Sequence, residues 1–352
     1  MKVDKKALVA GASGVVGRCL AEYLHSLDDW TVIGLSRQPP IGGNDVPRVD
    51  VDLSDRRDVQ AKLGTQSDVT HIFYEARFDH VEGTPEPIDT NVAMFRNLID
   101  TVVPIATNLV HVHTGSGHKN YGLHKGPART PAREDAPRYP GPSFYYEQED
   151  YIHALRMGQA WSWSSARPTG LCDTAPGITR SMISLICAYA AIRKELGLPF
   201  SFPGTEGNYH ALYQCTEALQ LAKATVWMAT APACANQDFN ITNGDLFRWS
   251  NLWPKFADYF GMALGPVETV DLADYMADKE AVWQRVIEKH ALIPQPLERV
   301  AMWSYWRHLW TPDWDIVSSM TKARQFGFHD IVDSEAMFFR MFDHFRAAKV
   351  FP

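Results

Sequence analysis

Short apolar runs alternate with longer stretches of helical periodicity through the first 170 residues. An apolar run of about four to eight residues bounded by turn residues predicts a buried strand, whereas apolar positions three and four apart predict a helix. Strands that alternate with helices favour parallel pairing through crossover helices, and therefore a doubly wound α/β sheet. The predicted strands are 6–10, 31–35, 69–74 and 108–113, and the predicted helices are 15–24 and 93–103.

The pattern changes after about residue 176, where the chain becomes mainly helical in periodicity and rich in tryptophan. One strand-like return, FNIT at 239–242, interrupts this part. We predict a smaller, mainly helical cap over the C-terminal edge of the sheet. Most of its aromatic residues are expected to be core residues, because large apolar side chains are usually buried.

Composition excludes several classes of protein. With 45% hydrophobic and 21% charged residues, the 352-residue chain is typical of a globular protein with a sizeable core. A net charge of −7 without a basic tract argues against a nucleic-acid partner. No apolar stretch approaches the roughly 20 residues that span a bilayer, so no membrane partner is expected. The apolar run near the start breaks at a glycine and is too short for a signal peptide.

The five cysteines are widely scattered, and none forms a Cys-x-x-Cys pair. This spacing indicates neither a disulfide framework nor a zinc site. It favours a reducing compartment, and we predict a cytoplasmic location.

The segment GASGVVG lies between a predicted strand and a predicted helix, which is the context that a dinucleotide-binding loop requires. Gly11 allows the tight turn, Gly14 lets the backbone approach a pyrophosphate, and Gly17 lets the helix pack closely on the sheet. Free N–H groups at the start of the helix then face the phosphates. The alternative is a strand–turn–helix without a ligand. The predicted phosphate contacts are Gly11, Ser13, Gly14, Val15, Val16 and Gly17.

These features together predict two domains. Residues 1–175 form a Rossmann-type dinucleotide-binding domain, to which a returning strand segment near 208–245 contributes. Residues 176–207 and 246–352 form the substrate-binding cap.

The end of the second strand selects the cofactor. Enzymes that use NAD place an acidic residue about 20 positions after the glycines, where it binds the ribose 2′-OH. Here GLSRQPP supplies Ser36 and Arg37 and no acid. A guanidinium binds a phosphate through two parallel hydrogen bonds, so we predict NADPH, with an ordinary surface arginine as the alternative. Asp52 and Leu53 follow the third strand and are assigned to the adenine side; Asp52 is equally suited to be a helix N-cap.

Reductases on this fold need a phenol that donates to a substrate oxygen and a cation that lowers the phenol's pKa. Tyrosine and lysine usually lie one turn apart on one helix. The Tyr121–Lys125 spacing follows a predicted strand directly, and Gly122 and the 126–127 Gly-Pro pair disfavour a helix there. A second such spacing, Tyr275–Lys279, lies far into the cap.

The helical stretch in the right place is FYYEQEDYI, which begins at residue 144. It offers Tyr145, with Tyr146 as the alternative. Each tyrosine has a carboxylate four residues on, Glu149 and Asp150 respectively, instead of a lysine. A carboxylate would raise the phenol's pKa, so the cation must come from elsewhere in the chain.

The segments AGASGVVG, GLSRQPP, DVTHIFYEARF, MFRNLID, HTGSGHKNYGLHKG, FYYEQEDYI, ARPTG and ITNGDLFRW occur in this order. Together they resemble the progesterone 5β-reductase/iridoid synthase-like (PRISE) family of atypical extended short-chain dehydrogenases/reductases, over nearly the whole chain. The resemblance implies that the catalytic lysine comes from the loop after the fifth strand. On this sequence that residue is Lys119, and the catalytic tyrosine is Tyr145.

Further site residues are assigned from strand ends and from the resemblance. The segment YEARF, Tyr74 to Phe78, ends the fourth strand and is expected to line the nicotinamide side. Tyr74, Glu75 and Ala76 of this segment are the predicted cofactor contacts, with Thr114 at the end of the fifth strand. The resemblance places Pro168 and Thr169 against the nicotinamide carboxamide; a plain strand-ending turn is the alternative.

The histidines at 111, 113 and 118 do not form a metal site by spacing, because no Cys, Asp or Glu completes a ligand set. We expect no metal, and we interpret the histidines as strand residues near the cofactor.

The resemblance implies an NADPH-dependent ene-reductase that transfers a hydride to the β-carbon of a small apolar enone. The residues alone allow carbonyl reduction equally well. Two other classes stay open, a nucleotide-sugar epimerase or dehydratase on the same fold and a non-catalytic NADP-binding sensor. The oligomeric state is also open, with a homodimer as one option.

Overall fold

The computed structural model describes residues 5–79, 84–175, 177 and 179–352. Strands in these ranges alternate with helices in the first half of the chain and become short afterwards. They are β1 (Lys5–Ala10), β2 (Trp30–Ser36), β3 (Arg48–Asp50), β4 (His71–Tyr74), β5 (His111–Gly115), β6 (Ser162–Pro168), β7 (Leu171–Cys172), β8 (Phe200–Phe202), β9 (Thr216–Glu217), β10 (Gln237–Ile241) and β11 (Leu264–Val267).

The helices cover both faces of the sheet and dominate the second half of the chain. They are α1 (Val15–His25), α2 (Arg56–Leu63), α3 (Ile88–Val102), α4 (Phe144–Arg156), α5 (Met182–Glu195), α6 (Glu206–His210), α7 (Ala218–Thr230), α8 (Trp249–Phe260), α9 (Leu272–Met276), α10 (Glu280–His290), α11 (Trp306–Trp310), α12 (Thr321–Gln325) and α13 (Ser334–Ala347). Short 3-10 helices occur at His118–Tyr121, Pro232–Cys234, Leu297–Arg299 and Trp303–Tyr305.

Seven strands form one parallel sheet in the order β3-β2-β1-β4-β5-β6-β10. This arrangement confirms the predicted doubly wound α/β class. The strand order reverses direction between β1 and β4, and ligands of such sheets bind outside the carboxyl ends of the strands at this point. Strand β10, from the later chain, pairs with β6 at the sheet's edge.

Alternate residues of β1 explain how the helices cover the sheet. Ala7 and Val9 pack on one face in a cluster that includes residues of α1 and α7. Leu8 and Ala10 pack on the other face with residues of α3 and α4. A central parallel strand is therefore buried on both faces, which accounts for the continuous apolar run in its sequence.

The helical part of the chain has its own aromatic core. Trp249, Trp253, Trp283 and Trp310 are fully buried there, and the Trp253 ring stacks on Phe200 with centroids 4.5 Å apart. The domain boundaries at 175/176 and 245/246 stay a prediction. Across the described ranges, no helix combines the length and apolar character that a bilayer crossing requires.

Several elements differ in extent from the predicted ones. Helix α3 begins at Ile88 rather than 93, and β5 runs from His111 to Gly115 rather than over 108–113. The short strand expected before ARPTG extends as β6 through Pro168. A proline ends this strand without loss because its missing N–H falls on the last residue of the ladder.

Candidate active site

A cavity of about 450 Å³ opens at the carboxyl ends of β1, β2, β4 and β5. Most of the residues assigned from the sequence line it: Gly11, Ser13, Gly14, Val15, Val16, Ser36, Arg37, Asp52, Leu53, Tyr74, Glu75, Ala76, Tyr145 and Pro168. The others, Gly17, Thr114, Lys119 and Thr169, are not part of its lining. Residues that are far apart in sequence thus border one space.

The glycine loop lies directly on the end of β4. Gly11 has a φ of +81°, and a Cβ there would lie 2.7 Å from the Glu75 carbonyl oxygen. Gly14 is the N-cap of α1, and no side chain caps this helix end. The first N–H groups of α1 are therefore available to a phosphate, as the motif predicts.

Gly17 acts through packing rather than through the cavity. A Cβ at Gly17 would lie 2.4 Å from the Gly11 carbonyl oxygen, whereas one at Gly14 would lie 3.4 Å from the same atom. Gly17→Ala should therefore push α1 away from the loop and lower the free energy of unfolding by about 1–3 kcal/mol. Chemical denaturation of Gly17→Ala and Gly14→Ala tests this. Equal losses in the two variants would contradict the packing role of Gly17.

At the end of β2, Arg37 is exposed on the cavity wall, with its guanidinium 5.8 Å from the Phe78 ring. The Ser36 hydroxyl donates to the Gln38 carbonyl at 2.7 Å. Asp52 accepts hydrogen bonds from the hydroxyl and the N–H of Ser54, and these bonds lower its pKa. The N-cap of α2 is Asp55, so the alternative that Asp52 caps this helix is wrong.

Tyr145 is the second residue of α4 and lines the cavity. Burial raises the pKa of its phenol, and the guanidiniums of Arg77 and Arg180 act in the opposite direction. The Tyr146 hydroxyl instead donates to the Asn120 carbonyl at 3.1 Å, and Tyr146 is not part of the cavity lining. The geometry therefore favours Tyr145 over Tyr146 as the phenol that meets a substrate.

Lys119 lies in the 3-10 helix after β5, and its Nζ is 3.5 Å from Glu86 Oε1. The same carboxylate oxygen accepts from Arg77 Nη2 at 2.9 Å. Burial lowers the pKa of Lys119, and the neighbouring charge of Arg77 lowers it further. Lys119 and Tyr145 thus lie within the field of the same charged groups, Arg77, Glu86 and Arg180.

Side chains of α4 and the sheet hold the turn that carries Lys119. Asn120 Nδ2 donates to Glu149 Oε1 at 3.2 Å, and Glu149 is the residue one turn after Tyr145. The buried Tyr121 hydroxyl donates to Asn240 Oδ1 at 2.6 Å. Lys125 is exposed, and a turn rather than a helix connects it to Tyr121. The carboxylate in the usual lysine position therefore anchors the turn from which another lysine comes.

Two threonine hydroxyls near the end of the sheet are buried without a hydrogen-bond partner among the described residues, whereas that of Thr216 is paired. Thr169 exchanges backbone hydrogen bonds with the Thr216 hydroxyl, at 3.2 Å and 2.8 Å. The hydroxyls of Thr114 and Thr169 are buried and have no hydrogen-bond partner within the described part of the protein. Buried hydroxyls usually have a partner, so this is consistent with a ligand that binds nearby. A cavity of about 450 Å³ that is lined by both the glycine loop and Tyr145 fits a dinucleotide.

The strand histidines form a buried chain of contacts. His111 Nδ1 lies 2.8 Å from the Ser162 hydroxyl, and Ser164 lies 2.8 Å from both His111 Nε2 and His113 Nδ1. His113 Nε2 is 3.4 Å from Glu75 Oε1 on the cavity wall. Among the residues that the structure describes, no three His, Cys, Asp or Glu side chains are grouped so that they could hold a metal ion.

Sequence reasoning missed part of the cavity wall. Arg77 and Phe78 belong to the predicted YEARF segment and line the cavity, whereas the position of this segment beside the nicotinamide stays a prediction. The residues that were missed are Asp79, which directly follows this segment, and Arg180, Met302 and Tyr305 from the later chain. Nothing in the local sequence indicates the last three, because long-range packing alone brings them to the cavity.

The family model and the curated relatives that match this chain point to the same family. Residues 45–352 match the family described as PRISE-like Rossmann-fold domain. An (S)-8-oxocitronellyl enol synthase of Nepeta cataria is 33% identical, with coverage of 98% of this chain and 91% of the relative. A 3-oxo-Delta(4,5)-steroid 5-beta-reductase of Arabidopsis thaliana is 32% identical, with coverage of 99% and 94%. The UDP-glucose 4-epimerase of Thermus thermophilus, in complex with NAD, has a similar fold, with a TM-score of 0.66, 18% identity and coverage of 97% and 99%.

Proposed function

The chain belongs to the PRISE family of Rossmann-fold enzymes, and we propose that it is an NADPH-dependent reductase that transfers a hydride to the β-carbon of an activated enone. The observation that carries this proposal is the position of Tyr145. Tyr145 lines the same cavity as the glycine loop, and the guanidiniums of Arg77 and Arg180 oppose the rise in the phenol's pKa that burial causes. A phenol in such a place can donate to a carbonyl oxygen on which negative charge develops.

In this proposal some of these residues bind the cofactor and others stabilise the charge that develops on the substrate oxygen. The glycine loop and the N-terminus of α1 would hold the phosphates of the cofactor, and Pro168 would border its nicotinamide. When bound, the reduced nicotinamide supplies the hydride. Tyr145 donates a hydrogen bond to the carbonyl oxygen and stabilises the enolate that forms as the C=C bond is reduced. Arg77 and Arg180 oppose the effect of burial on the phenol's pKa. In this proposal Lys119 is a further cation that holds the nicotinamide ribose and keeps the phenol's pKa low. A proton from solvent completes the saturated product.

Product identification tests the proposal. We would measure the oxidation of NADPH and of NADH with 2-cyclohexen-1-one, progesterone, 8-oxogeranial and a simple aldehyde, and identify the products by mass and NMR. Saturated C=C products support the proposal. Alcohol products would assign the same phenol to carbonyl reduction instead. Tight NADPH binding without turnover of any compound would exclude a broad enone reductase.

Arg37 provides the test of cofactor choice. Arg37→Ala should raise KM for NADPH about 10- to 100-fold, because a charge-assisted hydrogen bond to the 2′-phosphate contributes roughly 1.5–3 kcal/mol. KM for NADH should hardly change. Arg48 is a matched control, since it is a neighbouring arginine that pairs with Asp50 and is not in the cavity lining. An equal rise for both cofactors would contradict recognition of the 2′-phosphate.

A further inference from the structure

Two arginines lie at the end of the cavity where the substrate would meet Tyr145. Arg77 follows β4, Arg180 precedes α5, and both line the cavity together with Tyr145, Met302 and Tyr305. Both guanidiniums oppose the rise in the pKa of Tyr145, a role that serves any carbonyl substrate. Burying two of them also costs free energy unless anions compensate them, so this position is suited to an anionic group as well.

Both guanidiniums are held in place before any ligand binds. Arg77 lies 5.8 Å from the Phe144 ring and Arg180 lies 5.4 Å from the Tyr305 ring, measured from Cζ to ring centroid. The backbone after Arg77 is fixed by Asn91, which accepts from the Phe78 N–H at 2.8 Å and donates to the Phe78 carbonyl at 3.1 Å. A preorganised pair of this kind loses little entropy when it binds an anion.

The carboxylates around the arginines do not saturate them. Asp79 Oδ1 lies 2.8 Å from Arg180 Nη1 and 3.3 Å from Arg77 Nε, and the Asp79 side chain is 52% exposed. Among the described residues, the Nε of Arg180 is buried without a hydrogen-bond partner, and the buried Nε of Arg77 has the ion-pair contact with Asp79 but no hydrogen bond. Within the described ranges, the cavity wall beside Tyr145 carries two cations, Arg77 and Arg180, and two carboxylates, Glu75 and Asp79. Lys119 and Glu86 pair with each other outside this lining. Arg180 therefore faces the cavity with a carboxylate contact to the half-exposed Asp79.

We infer that the preferred substrate is an enone that carries a carboxylate or a comparable anionic group, which Arg77 and Arg180 bind while Tyr145 holds the carbonyl oxygen. This inference rests on the proposed function. The reaction stays balanced as for a neutral enone: NADPH gives a hydride to one carbon of the C=C bond, a proton from solvent reaches the other, and NADP⁺ and the saturated acid leave. The anionic group takes no part in bond making.

A matched pair of substrates tests the inference. We would compare kcat/KM for (E)-4-oxo-2-pentenoate and for its methyl ester in wild type, Arg77→Met, Arg77→Lys, Arg180→Met and Arg180→Lys. The ratio of acid to ester should fall about 10- to 100-fold in each methionine variant, the range expected when one partner of a desolvated ion pair is removed. The lysine variants should keep most of the ratio. Taking a ratio cancels any effect of the substitutions on the pKa of Tyr145, because that effect is shared by both substrates.

Controls separate this inference from its alternatives. Arg96→Gln, an exposed arginine on α3 that packs on Tyr151 outside the cavity, should leave the ratio unchanged. An unchanged ratio in both methionine variants would overturn the inference. So would an equal loss of NADPH affinity and of activity on both substrates, since the arginines would then bind the cofactor phosphates. If the ester is reduced but the acid-to-ester ratio does not fall in the methionine variants, this inference fails and the proposed function stands. If neither compound nor 2-cyclohexen-1-one is reduced, the proposed function itself is rejected.

Discussion

Tyr145→Phe should lower kcat/KM for enone reduction by about 10²- to 10³-fold, the loss that follows when one preorganised donor to a developing oxyanion is removed. The substitution deletes one hydroxyl at the cavity wall and keeps the ring, which packs 4.1 Å from the ring of Phe144. We therefore expect the free energy of unfolding and the Kd for NADPH to stay close to those of wild type. Steady-state kinetics, denaturation and cofactor titration measure the three quantities separately.

Tyr146→Phe is the control for this prediction. It removes a hydroxyl from the next residue of the same helix, where that hydroxyl donates to the Asn120 carbonyl. Its effect on kcat/KM should be less than about tenfold, because the loss is one neutral hydrogen bond away from the cavity. Full activity in Tyr145→Phe, or a larger loss in Tyr146→Phe, would show that Tyr145 is not the phenol that donates a hydrogen bond to the substrate oxygen.

The pH profile gives an independent view of the same phenol. A phenol donates only while it is protonated, and burial raises the pKa of Tyr145. The value of kcat/KM should therefore be flat through neutral pH and fall on the alkaline side. If Lys119 keeps the phenol's pKa low, as proposed, Lys119→Ala should raise that pKa and move the falling limb to higher pH. A limb that stays in place would exclude an electrostatic effect of Lys119 on Tyr145.

The parts of the site that the sequence predicts are those determined by short segments. A glycine loop needs only a strand before it and a helix after it, so Gly11 and Gly14 could be assigned from seven residues. Arg37 and Asp52 follow strand ends and could be placed in the same way. The cap's contribution could not be predicted, because Arg180, Met302 and Tyr305 reach the cavity only through the packing of distant elements.

The contacts of Glu149 are a second feature that the sequence does not predict. The sequence shows a carboxylate one turn after Tyr145, from which we predict that the catalytic cation comes from elsewhere in the chain. It does not show that Glu149 binds Asn120, which is 29 residues away and next to Lys119. The sequence lacks the information that α4, which carries Glu149, contacts the turn after β5, which carries Asn120.

The second large effect should arise at Arg167, whose side chain is 6% exposed. Its guanidinium lies 3.1 Å from Asp238 and 3.7 Å from Glu149, and it donates to the Tyr121 hydroxyl at 3.2 Å. Arg167→Met leaves both carboxylates without this cation in a low-dielectric region. We expect a loss of about 3–5 kcal/mol in the free energy of unfolding at neutral pH, as for other buried ion pairs from which one partner is removed.

Arg138→Ala is the matched control, since Arg138 also binds Glu149, at 3.0 Å, but is 36% exposed and more strongly screened by solvent. Its removal should cost less than about 1 kcal/mol. Equal losses for Arg138→Ala and Arg167→Met would show that burial does not set the strength of these pairs.

The pH dependence of the Arg167→Met loss identifies the group responsible. Burial raises the pKa of Glu149 in the folded protein, and Arg167 opposes this rise. A carboxyl whose folded pKa lies above its unfolded value destabilises the fold above that pKa and ceases to do so as pH falls and it becomes protonated. Without Arg167 the folded pKa of Glu149 rises further, so the difference in unfolding free energy between wild type and Arg167→Met should shrink from neutral towards acidic pH.

The double variant Arg167→Met/Glu149→Gln should recover part of the loss at neutral pH, because glutamine still accepts a hydrogen bond from Asn120 without a buried charge. A difference that is constant with pH would mean that the lost contacts to Tyr121, rather than the uncompensated carboxylates, dominate the effect.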